Sequence, residues 1–484
     1  MAEDKTGSSL GEEVEDDLAL VDGAPDSRPT IQHLSVVKLF GRYTYDLTVP
    51  KVDGDISRLV LLHGDNGSGK TTVLNMLWHT LSTAEDRGHK SELAKTPFRR
   101  FIVDFSDGSH VSVEKRDGLV GDYDLTVFGP GMSEPVIAEF RVDAEMDVGH
   151  TEGYGSSVVH NLVKFGFDRD GGFAGDRPES PVRAAMKFLK NLNRKSPVLL
   201  GDDRGLHSDN RPTARMRRRR QSIENMPSPG EQIAIELDDA LARLNDRMLS
   251  LTAKAQRSGL NEEATIYMDV LRRLGEYEKH EPDFTAQGER MSQLLTKLGK
   301  EVPRFSEYGL ISGFEAGEIQ RLIDRVPGLN RQAAYSIVFP YLDSVQARLA
   351  ALNEAESLIR RFVTHANSYL TDKYLTFGLG SGFRVLADVE PYRNLRATSL
   401  SSGEKQMLLL LCSAVLSRWD SRLFLIDEPE LSLGVLWQRQ ILKSLLEITE
   451  DTSIQFIVAT HSIEMVNANA PALVRLVNSV ESGS

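Results

Sequence analysis

An α/β fold built on a mixed sheet and interrupted by a long α-helical insertion is predicted by three observations. A glycine-rich loop at residues 64 to 71 stands between a strand-like apolar run and a helix-like run. Two later apolar runs stop abruptly, one at Asp427-Glu428 and one at Thr460-His461-Ser462. Between residues 231 and 370 the apolar residues recur at intervals of three and four, as in helices with one buried face.

Bulk properties bound what this fold can be. The 484 residues suffice for several domains or for one large domain with an insertion. A content of 40% apolar and 26% charged residues fits a soluble globular protein. No apolar run approaches the roughly 18 residues that cross a bilayer. The N-terminus lacks a basic start followed by an apolar core, and Cys412 is the single cysteine, so no intrachain disulfide is possible. Together these predict a cytoplasmic protein with no membrane partner. Cys412 falls in an apolar helix and reads as a small core residue. The net charge of −13 argues against broad coating of DNA, without excluding a local basic groove.

The N-terminal segment, residues 1–28, holds nine acids against Lys5 and Arg28 and predicts a disordered acidic tail. Residues 29–204 predict an N-terminal lobe. In it Arg58 to His63 reads as a buried strand and Thr72 to Leu81 as a helix, with Val73, Leu74, Leu77 and Leu81 at helical spacing. Between them Gly64-Asp65-Asn66-Gly67-Ser68-Gly69-Lys70-Thr71 matches the phosphate-binding pattern G-x-x-x-x-G-K-[ST] in the strand–loop–helix context that the pattern requires. Glycines let the backbone turn tightly and aim N–H groups at phosphate oxygens, and the helix start adds positive potential. The pattern assigns Lys70 to the β and γ phosphates of ATP and the Thr71 hydroxyl to Mg2+, with Thr72 opening the helix beside them. Residues 99 to 141 alternate as β-strands with Asp-Gly turns and predict an antiparallel flank.

Residues 205–230 are rich in Arg, Pro, Ser and Asp and predict a basic loop. Its run Arg215-Met216-Arg217-Arg218-Arg219-Arg220 reads first as a solvated loop and second as a contact for nucleic acid or an acidic partner. Residues 231–370 predict two long antiparallel helices with shorter ones between. One stripe is Ile233, Leu237, Leu241, Leu244, Met248 and Leu251; the other is Val345, Leu349, Leu352, Ile359, Val363, Ala366 and Leu370, with a gap at Glu356. Residues 371–484 predict a C-terminal lobe. There Leu400-Ser401-Ser402-Gly403-Glu404 precedes an apolar helix from Lys405 to Ser417, and Ser401 with Glu404 has capping-box spacing. The segment reads as a capped buried helix, as a second anion site, or as both. The strand ending at Asp427-Glu428 reads either as a strand entering an acidic loop or as a cation ligand, Asp427, beside a residue that polarises water, Glu428. His461 belongs beyond the carboxyl end of its strand, where ligands of parallel sheets bind, or it caps the next helix.

The order of these four segments resembles ABC-type ATPases of the AAA and P-loop NTPase class. Gly64 to Thr71 looks like Walker A, Leu400 to Glu404 the signature, Leu425 to Glu430 Walker B and Thr460-His461-Ser462 the switch-histidine segment. The roughly 330 residues between Walker A and signature resemble the RecF, Rad50 and SMC branch, whose ATPase head is split by a helical insertion. Asp427-Glu428-Pro429-Glu430-Leu431-Ser432-Leu433 resembles the overcoming-lysogenization-defect-like ATPases of prokaryotic anti-phage defence. That resemblance implies an ABC ATPase head with an antiparallel β flank, acting on ATP with Mg2+ held by Thr71 and Asp427. It implies a homodimer or higher oligomer in which Ser401 and Gly403 of one head contact the γ-phosphate held by Lys70 of another, with Glu428 as base and His461 as sensor. The chain ends about 23 residues after His461, so a nuclease effector is expected on a separate protein. That layout is similar to PARIS, with a toprim effector, or Septu, with an HNH nuclease. A RecF-like DNA-repair ATPase and a transporter subunit are the competing readings. Gly434 departs from related ATPases that carry histidine there, and no Q-loop glutamine is evident; Asp203 or Arg204 is expected near the nucleotide, and Arg42 and Tyr43 near the base or in the core.

Overall fold

The computed structural model describes residues 29–52, 54–84, 87–142, 163–164, 180–193, 196–201, 205–209, 229–275, 284–327, 330–390 and 393–479. The acidic tail, Asp203, Arg204 and the Arg215–Arg220 run lie outside these residues.

The first half of the chain runs β1 (Ile31–Leu39), β2 (Tyr43–Thr48), β3 (Lys51–Val52), β4 (Asp55–Ile56), β5 (Leu59–His63), α1 (Lys70–Leu81), α2 (His89–Lys95), β6 (Arg100–Phe105), β7 (His110–Lys115), β8 (Tyr123–Phe128), β9 (Val136–Val142), β10 (Val163–Lys164), α3 (Pro181–Asn193), β11 (Val198–Leu200) and β12 (Leu206–His207). The insertion is α4 (Pro229–Gly275), α5 (Phe284–Ser306), α6 (Ala316–Asp324) and α7 (Arg331–Asn367). The chain returns as β13 (Lys373–Gly378), β14 (Gly382–Ala387), β15 (Asn394–Leu395), α8 (Ser402–Asp420), β16 (Leu423–Asp427), α9 (Val435–Ile448), β17 (Gln455–Thr460), α10 (Ile463–Ala468) and β18 (Leu473–Arg475).

The central sheet has the order β12-β11-β16-β17-β5-β18 and is parallel except for β12 at its edge. Both of its faces are covered, so its strands read as continuous apolar runs rather than alternating ones. Leu59 and Leu61, Phe424 and Ile426, and Phe456 and Val458 point into one core, shared with the helical insertion, α8 and α9. Val60 and Leu62, Leu423 and Leu425, and Ile457 and Ala459 point into the other. That second core is closed by α1, α3 and a seven-stranded antiparallel sheet, β10-β9-β8-β7-β6-β1-β2. The flank predicted over residues 99–141 is therefore present, extended by β1 and β2.

Helix α8 threads the middle of the molecule. From Gly403 to Ser417 every residue but Lys405 is buried, as expected of a helix apolar on all sides. Cys412 is buried there, and burial pushes its thiol pKa well up, so it is inert packing. The chain leaves the head along α8 through α4, where Arg243 and Arg247 pair with Asp420, and returns through α7, whose Asn367 side chain holds both backbone groups of Leu375. The gap at Glu356 is filled by charge: the side chain is fully buried, with Arg360 Nε donating to it at 3.0 Å and the Arg304 guanidinium 4.0 Å away.

One expectation is corrected. Residues 205–230 are not wholly loop: Leu206 and His207 pair antiparallel with Leu200 and Leu199 as β12, and α4 already begins at Pro229. Two residues are too few to carry a readable alternation, and their partner strand supplies the order.

Candidate nucleotide site

Strands β5, β16 and β17 end at one edge of the parallel sheet. His63 lies opposite Thr460, and Asp427 opposite Ala459, so the loops that follow leave from the same level. Topology thus places Gly64 to Thr71, Asp427-Glu428 and His461 together at the carboxyl ends of the strands, where open α/β sheets take ligands.

The Gly64–Gly69 loop is shaped by two left-handed glycines, Gly67 (φ 80°) and Gly69 (φ 87°). A Cβ on Gly69 would come within 2.7 Å of Leu39 Cδ2, so its backbone must lie against β1. Tyr45 on β2 adds a clamp, its buried hydroxyl donating to the Ser68 carbonyl at 2.7 Å. Burial, helped by the nearby Tyr43, pushes that phenol up to about 12, which keeps it a donor. Gly69 caps α1 without any side-chain bond to the first turn, leaving helix-start N–H groups available to an anion. Asn66 and Gly67 are exposed at the tip, while Thr71 and Thr72 are half-buried in the first turn. Lys70 is buried and folds over the loop, donating to the carbonyls of Gly64 (2.8 Å) and Asp65 (3.1 Å). The Ser68 hydroxyl is buried with no hydrogen-bond partner. A cradle of open helix N–H groups, an orphaned hydroxyl and an ammonium held only by two carbonyls fits a phosphate chain.

Asp427 is buried at the end of β16. Glu428 then turns out of the strand in the left-handed region (φ 45°), held by its N–H to the Ala459 carbonyl at 2.9 Å. Such a φ costs a non-glycine residue about 1–2 kcal/mol. Its carboxylate lies 3.6 Å from His461 Nδ1. The histidine is half-exposed and does not cap α10; Ser462 does, accepting from Met465 N.

Glu430 was not singled out by the sequence. Its Oε1 accepts from Thr460 Oγ1 (2.7 Å), His461 N (2.8 Å) and Ser462 N (3.2 Å), and lies 3.2 Å from His461 Nδ1. Nothing in the spacing marks it, because Pro429 carries the chain out of the strand and only the fold returns Glu430 to β17.

The capping box is formed: Glu404 N donates to Ser401 Oγ at 3.3 Å and Ser401 N to Glu404 Oε2 at 2.8 Å. Burial opposes ionisation of Glu404, but the Ser401 N–H and the Lys373 ammonium at 2.9 Å outweigh it and hold the carboxyl below its usual range. Ser401 and Ser402 are exposed, whereas Gly403 is buried where a Cβ would meet the Ser432 carbonyl at 2.9 Å. The start of α8 thus packs on the turn that follows Glu430. Arg42 lies 5.3 Å over the Tyr43 ring, which stacks on Tyr45, so this pair is tied to the clamp behind the loop.

The far end of α1 is held by buried polar groups. Lys90 Nζ donates to the carbonyls of His79 (3.0 Å), Thr80 (2.9 Å) and Ser82 (3.2 Å). Burial pushes Lys90 down to about 7, opposed by Asp209. His79 Nδ1 meets His89 Nδ1 at 3.0 Å, and His89 Nε2 meets Asp209 Oδ1 at 2.8 Å. Burial, with the neighbouring His89 and Lys90, pushes His79 down to about 3.

A phosphate-binding loop joining a parallel strand to a helix, with acids at the end of a second strand, defines a P-loop nucleoside triphosphatase fold. Residues 306–467, about a third of the chain, match the family model described as "AAA domain, putative AbiEii toxin, Type IV TA system". Gly64–Thr71 lies outside that stretch. Among solved structures, the chain is similar to the Smc head domain with an extended coiled coil, bound to the C-terminal domain of ScpA, from Pyrococcus furiosus: 12% identity over 92% of this chain and 95% of that one, TM-score 0.35. It is also similar to the Smc head domain with a coiled coil and joint from Pyrococcus yayanosii: 13% identity over 93% and 97%, TM-score 0.36. No curated protein matches the chain. Among the described residues no helix is long and apolar enough to cross a membrane.

Proposed function

We propose that this chain is an ABC-type ATPase that acts as the sensor and scaffold of an anti-phage defence complex, controlling a separate effector by nucleotide-dependent association. The observation that carries the ATPase reading is the convergence of Lys70, Asp427, Glu428 and His461 on one sheet edge. Lys70 exchanges the Gly64 and Asp65 carbonyls for the β and γ phosphates. The Thr71 hydroxyl and the Asp427 carboxylate are hard oxygen donors, too few to cage a cation alone, which suits Mg2+ shared with phosphates and waters. Bound there, Mg2+ supplies charge neutralisation on the phosphates. Glu428 accepts the proton of a water whose oxygen bonds to the γ-phosphorus as the bond to the β,γ-bridging oxygen breaks; ADP leaves with that electron pair. His461, beside Glu428, senses the γ-phosphate.

The open start of α1 and the exposed Ser401-Ser402 start of α8 make two half-sites, which two copies of the chain complete for one another in a homodimer or higher oligomer. The Asp427–Leu433 phrase and the toxin–antitoxin description of the matched domain are the features that suit a defence setting; the effector proposed for it is a toprim or HNH nuclease. The alternative is a RecF/Rad50-like repair ATPase that clamps DNA, in which the arginine run would be the contact.

Glu428→Gln, with ATP and Mg2+, is expected to accumulate the associated form in sizing experiments, whereas Lys70→Ala loses nucleotide binding. An unchanged ATPase rate in Lys70→Ala refutes the site. Co-purification of a nuclease encoded nearby supports defence; ATPase stimulation by DNA that fades as salt rises supports the clamp.

A further inference from the structure

The turn after β17 carries His461, and the fold holds it with an acid that the ATPase reading leaves unused. Glu430 is 5% exposed in its side chain, and its Oε1 accepts from three donors of that turn, the Thr460 hydroxyl and the N–H groups of His461 and Ser462, and lies 3.2 Å from Nδ1 of the His461 ring. Glu428 approaches the same Nδ1 at 3.6 Å, farther than Glu430 at 3.2 Å. Both carboxylates therefore stand on one side of the ring, and Nε2 is the nitrogen left to face outward from them.

We propose that Glu430 is a positioning residue of the hydrolytic site: it fixes the Thr460–Ser462 turn and the proton of His461 on Nδ1, so that Nε2 is presented to the nucleotide and Glu428 is kept beside the ring. The inference rests on the ATPase reading above. Its physical basis is that a carboxylate 3.2 Å from Nδ1 favours the proton on that nitrogen, whereas a neutral histidine ring without such a neighbour favours it on Nε2. Glu430 needs no contact with ATP for this. It acts through His461, as a buried acid orients an imidazole in hydrolases of unrelated folds. Pro429 and the left-handed Glu428 turn the chain out of the strand, and after that turn Glu430 meets the end of β17.

The test combines turnover with a direct reading of the ring. In the full chain, Glu430→Met removes the acceptor, and Glu430→Gln keeps an oxygen for the same donors. Glu430→Met is expected to lower kcat at least about 10-fold with KM for ATP and equilibrium nucleotide binding within about twofold, and Glu430→Gln to recover most of the loss. Nitrogen-15 spectra of imidazole-labelled protein, with His461 assigned through His461→Asn, are expected to show the proton on Nδ1 in the natural chain and in Glu430→Gln, and on Nε2 in Glu430→Met. A natural chain whose His461 is protonated only on Nε2 overturns the proposal, and this holds even where Glu430→Met does not fold. So does an unchanged kcat in a folded Glu430→Met. Glu428→Gln and His461→Asn in the same assay separate the two levels: if neither slows turnover the ATPase assignment of these residues fails, whereas if both do and Glu430→Met does not, only the positioning role fails.

Discussion

Lowering the pH from 7 to 5 should destabilise this protein through one histidine on α1. His79 is pushed from its ordinary 6.5 down to about 3 by burial and by the neighbouring His89 and Lys90. In the unfolded chain the ring takes up a proton below about 6.5, whereas in the folded chain it stays neutral until about 3. Stability is therefore fully present above 6.5 and lost as the pH falls from there towards 3, at about 1.4 kcal/mol per pH unit. Between pH 7 and pH 5 the loss is about 2 kcal/mol. The surrounding groups do not mask it. Asp209 and Asp451, each held to about 2, withdraw their contribution only as the pH falls below the ordinary carboxylate range. Lys90, pushed to about 7, makes most of its change above the window. His33, raised by Asp46 and Asp104 against the opposing effect of burial, has the opposite sign and acts at higher pH. Urea unfolding at pH 7, 6 and 5 measures the effect as a shift of midpoint at constant slope. His79→Asn keeps an amide where Nδ1 stands and cannot titrate, so its loss of stability over the same range should be smaller by about 2 kcal/mol, leaving the contribution of His365, which burial also lowers. Parallel pH dependences in the two proteins would refute the argument.

Three further outcomes follow from particular contacts. Gly69→Ala puts a Cβ 2.7 Å from Leu39 Cδ2 at a φ of 87°, and nucleotide affinity measured by calorimetry should fall at least about 10-fold, since the loop must shift where it meets phosphate. Gly403→Ala drives a Cβ against the Ser432 carbonyl and should cost about 1–3 kcal/mol in thermal unfolding, less the helix propensity gained; no change would mean that α8 and the 432 turn are free to part. Glu356→Leu should be neutral or stabilising, because the half-exposed Arg360 and Arg304 can turn to water while leucine packs in the buried space, whereas Glu356→Ala leaves a cavity and should cost about 2 kcal/mol in the same measurement.

Much of the architecture was legible because its signals are local. An apolar run, a glycine-rich loop and a helical run are contiguous, so β5, Gly64–Thr71 and α1 could be read in one stretch. The stripes of α4 and α7 repeat over many turns, and the capping box of α8 spans three residues. Other features have a weaker signal or none. In the hairpin of β13 and β14, Leu375, Phe377, Phe383 and Val385 alternate around a glycine-rich turn, but over only two short strands. Glu356 appeared only as a break in a stripe.

The amino-acid order alone determined which residues stop a buried strand with charge, Asp427 and Glu428, and which loop turns on glycine, because backbone sterics and burial of apolar runs act over neighbouring residues. Tertiary structure decided what those residues face. Glu430 reaches Thr460 and His461 only because β16 and β17 pair in parallel, Tyr45 reaches Ser68 only because β2 lies behind the loop, and Lys373 reaches Glu404 across about 30 residues of chain. Pairing of distant segments depends on how whole faces fit together, and no window of sequence holds that information.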